Sequence, residues 1–267
     1  MRRFSGNPII ALLFTLYHLP QNIYRLCVSA EYRSVFCAKL FRAKDIQQAT
    51  TLTYMNRYPE VFSDCRDYFG HRKNIRILSF GCSTGDEVLT LRKYFPDAEI
   101  IGAEINKYNL KKCRELPLDK NITFIYSKNS TLQQYGPYDA IFCMAVLQRI
   151  PTQIRMHGIT NIKKLYPFDK FNKQLMDLDK LVRMNGLLVV HFTQYMFSDS
   201  DIAYQYEPLD DQQQSADLQM TIFFDKQGQI IKSPAQRNSI FIKKIDNQSK
   251  KHCSAKDEKD GLPFSTI

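Results

Sequence analysis

The chain has 267 residues, 44% of them apolar and 24% charged, and a formal charge of +10. That length buries a full core, as one large domain or as a domain with an appendage, and the composition excludes a disordered or collagen-like chain. No stretch approaches the roughly 20 uninterrupted apolar residues of a membrane span. Nothing has the spacing of a zinc finger or an RNA-recognition signature, so nucleic acid is not the expected partner of the basic charge. The seven Cys form no C-x-x-C pair, which points to free thiols in a reducing, cytoplasmic compartment and to no metal site.

Half of the charge excess sits in residues 1–50, where seven Lys/Arg stand against Glu31 and Asp45. Arg2 and Arg3 precede the apolar run Pro8–Tyr17, in the manner of a signal peptide, but Gln21, Asn22, Tyr24 and Arg25 interrupt it. Apolar residues at three- and four-residue steps, as in Ile23, Leu26, Cys27 and Val35, Phe36, Leu40, predict helices. Such a helix either packs on the domain or lies in a membrane interface. In the second case residues 1–26 bury Ile9, Leu12, Leu13, Leu16 and Leu19 while arginines meet anionic headgroups. The expected division is a helical extension (1–50), an α/β domain (51–245) and a flexible charged tail (246–267).

Strand and helix patterns alternate through residues 51–245. Ile75–Phe80 is an apolar run ending at Gly81. Asp86–Tyr94 reads as a helix, with acids in its first turn and Arg92 and Lys93 in its last, matching the helix dipole. Phe95-Pro-Asp turns the chain into a second strand, Glu99–Ala103. A helix over Tyr108–Glu115 and strands over Ile122–Tyr126 and Tyr138–Met144 follow. The last is apolar almost throughout, as a strand buried on both faces is. From Phe171 a helix carries Leu175, Leu178 and Leu181 on one stripe and stops near Gly186, and Leu187–Phe192 is the fifth strand. Met220–Asp225 and Ser239–Lys244 are separated by too little chain for a crossover helix, so they are expected to pair antiparallel. The fold class is therefore α/β: a Rossmann-like, seven-stranded, mostly parallel sheet with an antiparallel final pair and an N-terminal helical extension.

Gly81-Cys82-Ser83-Thr84-Gly85 lies between the first strand and its helix. Small residues there let backbone approach a ligand and leave N–H groups free at a helix start, while the Ser and Thr hydroxyls can cap the helix or bond the ligand. Glu104 ends the second strand, where a carboxylate accepts both hydroxyls of a ribose. Together they mark a site for an adenosine-containing cofactor. Asn106 is a further polar candidate. Ser127, Lys128 and Asn129 follow the third strand, where an adenine would lie, and Asn129 is the favoured partner of its edge. Met144 is a candidate apolar wall.

Five β/α units with an antiparallel ending resemble class I S-adenosylmethionine-dependent methyltransferases. Dinucleotide dehydrogenases continue with parallel units and carry a third glycine. More narrowly, Phe80-Gly-Cys-Ser-Thr-Gly-Asp-Glu87 resembles the glycine motif of chemotaxis-receptor (protein-glutamate) O-methyltransferases. Ile141–Leu147 is similar to that family's fourth-strand segment, and Leu52–Phe62 to its upstream Thr/Arg segment. The resemblance implies S-adenosyl-L-methionine as methyl donor. It also implies Arg57 on the methionine carboxylate, a bidentate contact suited to guanidinium, with Thr53 in support. It covers about residues 51–195 and departs at Met144-Ala145, where the family has Arg-Asn, and in Gln148–Lys170, which is foreign to the pattern. The cofactor and the general reaction carry over; the receptor-glutamate substrate does not.

Methyl transfer from a sulfonium is an in-line displacement in which the enzyme mainly supplies proximity and alignment. A base helps a hydroxyl or amine acceptor. His191 and Tyr195, in and beyond the fifth strand, are the catalytic candidates, and a buried structural histidine is the competing reading of His191. Tyr204, Tyr206 and Glu207 are candidates for lining an acceptor pocket, in a long polar segment that runs through Asp210–Gln214. The expected function is methyl transfer to a protein side chain or small molecule. The alternative is a catalytically silent binding or scaffold protein of the same fold, allowed by the missing Asn-type contact at Ala145.

Overall fold

The computed structural model describes residues 8–41, 47, 53–117, 119–209, 222–232 and 238–245. Expectations for Arg2, Arg3, Asp210–Gln214, Met220 and the tail 246–267 lie outside the described residues, as do those for the side chains of Ile9, Leu12, Leu13, Leu16 and Leu40.

Two helices open the chain, α1 (Pro8–Val28) and α2 (Ala30–Phe41). Ser29 separates them and caps α2, its hydroxyl accepting the Tyr32 N–H at 3.1 Å. α1 packs on α2, and α2 packs on α5 (Lys107–Arg114). Tyr17, Leu19, Ile23, Tyr24 and Val28 of α1 are exposed rather than buried in the domain core.

The α/β unit begins with α3 (Pro59–Phe69) and β1 (Arg76–Phe80), then α4 (Asp86–Tyr94) and β2 (Glu99–Glu104). After α5 come β3 (Ile122–Tyr126), α6 (Asn129–Tyr135), β4 (Tyr138–Met144), α7 (Pro151–Met156), α8 (Phe168–Asp179) and β5 (Val182–His191). Four short strands follow: β6 (Tyr206–Pro208), β7 (Phe223–Phe224), β8 (Ile230–Ile231) and β9 (Ile240–Lys243). The main sheet has seven strands in the order β3-β2-β1-β4-β5-β9-β6. Strands β1 to β5 are parallel, and β9 runs antiparallel between β5 and β6. Every residue of β4, at the middle of the sheet, is buried, which accounts for its apolar run. One apolar cluster fills the face under α6 to α8, and a second fills the face under α3 to α5.

The antiparallel ending differs from the expected pairing. β7 pairs with β8 in a separate two-stranded sheet, and β9 pairs with β5 and β6. The cause is a tight turn at Asp225–Gln229. The Asp225 carboxylate accepts the N–H groups of Gln227 and Gln229, and Gly228 stands at φ +78, so the chain folds back onto Ile230 at once. Gly186 also differs. α8 ends at Asp179 with Leu181 beyond it, and Gly186 lies inside β5, where the register against β4 shifts between Tyr138 and Ala140. A Cβ at Gly186 would stand 2.9 Å from the Asp139 carbonyl, so a close backbone approach, not a helix stop, selects glycine.

Lys243 pins the antiparallel seam. Only 1% exposed, its Nζ donates to the Asp179 carbonyl at 2.8 Å and lies 3.0 Å from the Asp179 carboxylate, which also accepts the Tyr206 hydroxyl. Removing one partner of a buried pair strands the other charge, at a cost of about 3–5 kcal/mol. Lys243→Met is expected to lower unfolding free energy by about that amount in urea titration. A loss under about 1 kcal/mol would show that Lys243 carries little of the seam's stability.

Candidate functional site

The sheet order sets the ends of β2, β1, β4 and β5 side by side, which aligns Glu104, Gly81, Met144 and His191 along one edge. The turn after β1 is held by the N–H groups of Gly81 and Cys82, both donating to the Ala103 carbonyl. Gly81, Ser83 and Gly85 stand at φ +78, +53 and +98. A Cβ on Gly81 would meet Val146 at 2.6 Å, so the loop after β4 lies directly against this turn. Gly85 is the N-cap of α4, without a side-chain bond. Thr84 donates its hydroxyl to the Asp86 carboxylate, at 2.9 Å.

Glu104 is 6% exposed, and its carboxylate accepts the Ser83 N–H at 2.9 Å and the Asn106 N–H at 2.6 Å. Burial pushes its carboxyl up to about 7, against the backbone N–H groups of Asn106, Ser83 and Ile105, which favour the charged form. Asn106 supports this arrangement. Its side chain caps α5, accepting the Tyr108 N–H, and also accepts the Ser34 hydroxyl from α2. Cys82 is buried behind the turn. Cys113 of α5 donates to the Ser83 carbonyl.

Arg57 lies at the other end of the row. Its guanidinium carbon is 5.1 Å from the Tyr58 ring centre and 5.5 Å from that of Tyr54. The segment that carries it is tied to α4 through the Asn56 N–H, which donates to the Thr90 hydroxyl. Thr53 lies half-buried at its start. Glu87, in the first turn of α4, accepts the Ser79 hydroxyl at 2.7 Å. Burial pushes its carboxyl up to about 7, with the Ser79 bond and the Arg57 charge pulling the other way. In sequence, Glu87 is accounted for by compensation of the helix dipole alone. The signal that could have found it is its place two residues after Gly85, on the helix side that faces the sheet.

His191 is 5% exposed, with Nδ1 2.7 Å from the Ser239 hydroxyl and its ring against Tyr58 and Phe192. Burial and then the Arg57 charge lower its pKa to about 3, so the imidazole is neutral. Met144 is buried at the end of β4. Ala145, at φ +56, donates its N–H to the His191 carbonyl.

Several predicted residues are not brought to this row. Asn129 is exposed at the start of α6, and its side chain donates to Asp177 of α8 at 3.3 Å. Tyr195 is fully buried among Tyr166, Phe168 and Phe171, with its hydroxyl donating to the Tyr166 carbonyl, so it belongs to the core beneath α8. Tyr206 turns its hydroxyl to Asp179, while Tyr204 and Glu207 are exposed.

Residues 77–166 match the sequence model of a family described as "Methyltransferase domain". Uncharacterized protein RP789 of Rickettsia prowazekii (strain Madrid E) is 28% identical over 88 residues, which is 31% of this chain and 16% of that protein. Among solved structures, the plantazolicin methyltransferase BpumL, in complex with a pentazolic analog and SAH, has a TM-score of 0.38 at 12% identity, over 61% of this chain and 54% of that one. PKMT2 from Rickettsia typhi has a TM-score of 0.36 at 18% identity, over 52% of this chain and 26% of that one. The chain thus spans about a sixth of the curated relative and about half of the first of these structures.

The Gly81 turn yields a direct test. Gly81→Ala adds a Cβ at positive φ and 2.6 Å from Val146, and is expected to cost more than about 1 kcal/mol of stability. Adding Val146→Ala is expected to recover only the steric part. Thermal or urea unfolding of the single and double variants measures both.

Proposed function

We propose that this protein is an S-adenosylmethionine-dependent methyltransferase. The observation that carries the reading is the buried Glu104 carboxylate, fixed at the end of β2 against the Ser83 N–H of a glycine turn. The match of residues 77–166 to a methyltransferase family model supports it. The residues fit the donor. Gly81 and Gly85 hold the turn at positive φ where a Cβ would meet Val146 or Leu116 at 2.6 Å, and both Glu104 oxygens keep lone pairs for ribose hydroxyls. Arg57 offers a cation for the methionine carboxylate. Glu87 offers an anion for its ammonium, which would relieve the desolvation that raises its pKa. Met144 supplies an apolar wall. Bound there, the donor would supply a methyl group on a sulfonium. The chain's own residues then have to align the two partners and exclude water. His191, neutral and held by Ser239, forms part of the wall. The chemotaxis-receptor resemblance, carried by Phe80–Glu87, Ile141–Leu147 and Leu52–Phe62, names no acceptor for this chain.

Calorimetry with S-adenosylhomocysteine is expected to show binding, weakened by roughly 1.5–3 kcal/mol in Glu104→Gln through loss of a charge-assisted bond. Ribose binding uses the ionised carboxylate, and the Glu104 pKa is about 7. Affinity is therefore expected to rise as pH increases through about 7 and to level off above it. No binding, or an affinity independent of both the substitution and pH, would contradict the assignment.

We also propose that α1 meets an anionic membrane surface peripherally. The exposed Tyr17, Leu19, Ile23, Tyr24 and Val28, in a chain whose first 50 residues are strongly basic, support this. Among the described residues, no helix is long and apolar enough to cross a membrane. The full chain is expected to pellet with phosphatidylglycerol vesicles and to do so much less after Ile23→Asn with Val28→Asn. Equal pelleting of both proteins would sink the idea.

A further inference from the structure

α5 carries the cations Lys107, Lys111, Lys112 and Arg114 and no acid. Asn109, Leu110 and Cys113 form its buried side, and the last two join the apolar cluster under α3 to α5. At 3.6 residues per turn, Lys107, Lys111 and Arg114 fall on one stripe turned away from that side, and all three are exposed. Among the described residues, none of the three is paired with an acid. Lys112 lies off the stripe, with its Nζ 4.7 Å from the centre of the Tyr108 ring.

The stripe works against the helix that carries it. Lys111 and Arg114 suit the C-terminal end of the dipole, but Lys107 stands in the first turn, where the dipole favours an anion. Lys107 also faces Lys111 four residues on, a like-charge pair that destabilises a helix. α4 does the reverse, with Asp86 and Glu87 first and Arg92 and Lys93 last, and its Arg92 bonds Asp119. An anionic surface set against the stripe would supply the counter-charge that α5 itself lacks.

The neighbouring helices indicate which kind of surface. α2 packs on α5 and α1 on α2, so the stripe belongs to the same helical layer as the exposed Tyr17, Leu19, Ile23, Tyr24 and Val28. Arg25 is exposed among them. Arg33 is engaged elsewhere, its guanidinium donating to the Leu26 and Cys27 carbonyls at the end of α1. Apolar side chains for the acyl boundary and cations for the headgroups are the two parts of an interfacial surface. A nucleic acid would use the cations and leave the apolar side chains in water.

We propose that Lys107, Lys111 and Arg114 are the headgroup-binding part of a membrane-docking surface whose partner is a bilayer rich in anionic lipid. This rests on the reading of α1 as a peripheral membrane element and extends it to a helix of the α/β unit. α5 begins after Asn106, whose N–H holds the Glu104 carboxylate, so the docked helix leaves from the end of β2 that carries the candidate site. Two anchoring helices fix how that edge of the sheet faces the bilayer, whereas one leaves it free to turn.

The test is sedimentation of the full chain with increasing amounts of phosphatidylglycerol or phosphatidylcholine vesicles. The native chain is expected to need at least about tenfold less of the anionic lipid for half-maximal pelleting. Lys107→Gln with Lys111→Gln and Arg114→Gln is expected to raise the anionic lipid needed by about tenfold or more. The same variant is expected to flatten the salt dependence between about 0.1 M and about 1 M, over which the screening length falls from about 10 Å to about 3 Å. Lys163→Gln with Lys164→Gln and Lys232→Gln removes as much charge near Ile162, which belongs to the cluster on the other face of the sheet, and is expected to change pelleting little. Equal pelleting of the native chain and the stripe variant, or an equal loss in the Lys163, Lys164 and Lys232 variant, overturns the proposal. So does stripe-dependent binding of a double-stranded oligonucleotide by a chain that ignores both kinds of vesicle. Loss in Ile23→Asn with Val28→Asn but not in the stripe variant leaves α1 as the anchor and removes α5. Loss in the stripe variant alone upholds the stripe and sinks the α1 reading. Lys111→Glu, a single exposed change, is expected to weaken pelleting in the same sense and decides the matter if the triple variant does not fold.

Discussion

The site is organised around one buried carboxylate. Taking Glu104 out of water is costly unless its oxygens are hydrogen-bonded, and the chain meets that cost with backbone N–H groups from two sides. Ser83 must therefore sit in the left-handed region to aim its N–H, which for a non-glycine residue is strain of order 1–3 kcal/mol. Cys113 holds the Ser83 carbonyl from behind. Asn106 serves both Glu104 and α5, with its N–H on the carboxylate and its side chain capping the helix. The glycine turn, the end of β2 and the start of α5 are thereby locked together.

The same low-dielectric logic shapes the other end of the row. Burial pushes the Glu87 carboxyl up against the pull of the Arg57 charge, and His191, between Tyr58 and Phe192, stays neutral because its own burial, and then the Arg57 charge, disfavour its cation. Tyr58, His191 and Phe192 thus form an aromatic cluster against Arg57. On the proposed reading, a zwitterionic methionine moiety suits the charged groups beside it.

The parallel part of the fold was legible because its signals are local. Asp86–Tyr94, Ile122–Tyr126 and Tyr138–Met144 have the bounds their apolar patterns and charged ends predict. The antiparallel ending was not legible. Whether Ile240–Lys243 pairs with β7 or inserts between β5 and β6 depends on how tightly Asp225–Gln229 turns, and on a buried Lys243 that finds Asp179 only in the folded chain. Gly186 misled for a related reason. A glycine demanded by a neighbouring strand's carbonyl looks, in sequence, like one that ends a helix.

In the site, Gly81, Gly85 and Glu104 could be read because strand, turn and carboxylate follow one another within 30 residues and each has a conformational reason to be where it is. Glu87 hid in plain view, since an acid in a first helical turn already has an explanation in the helix dipole. Asn129 shows the reverse error: the right position after β3, but a helix start that turns the side chain toward Asp177. A cavity beyond β5 had no sequence signature because Val190, Phe192, Phe197, Phe223 and Phe241, distant in the chain, meet there only when β9 inserts beside β5.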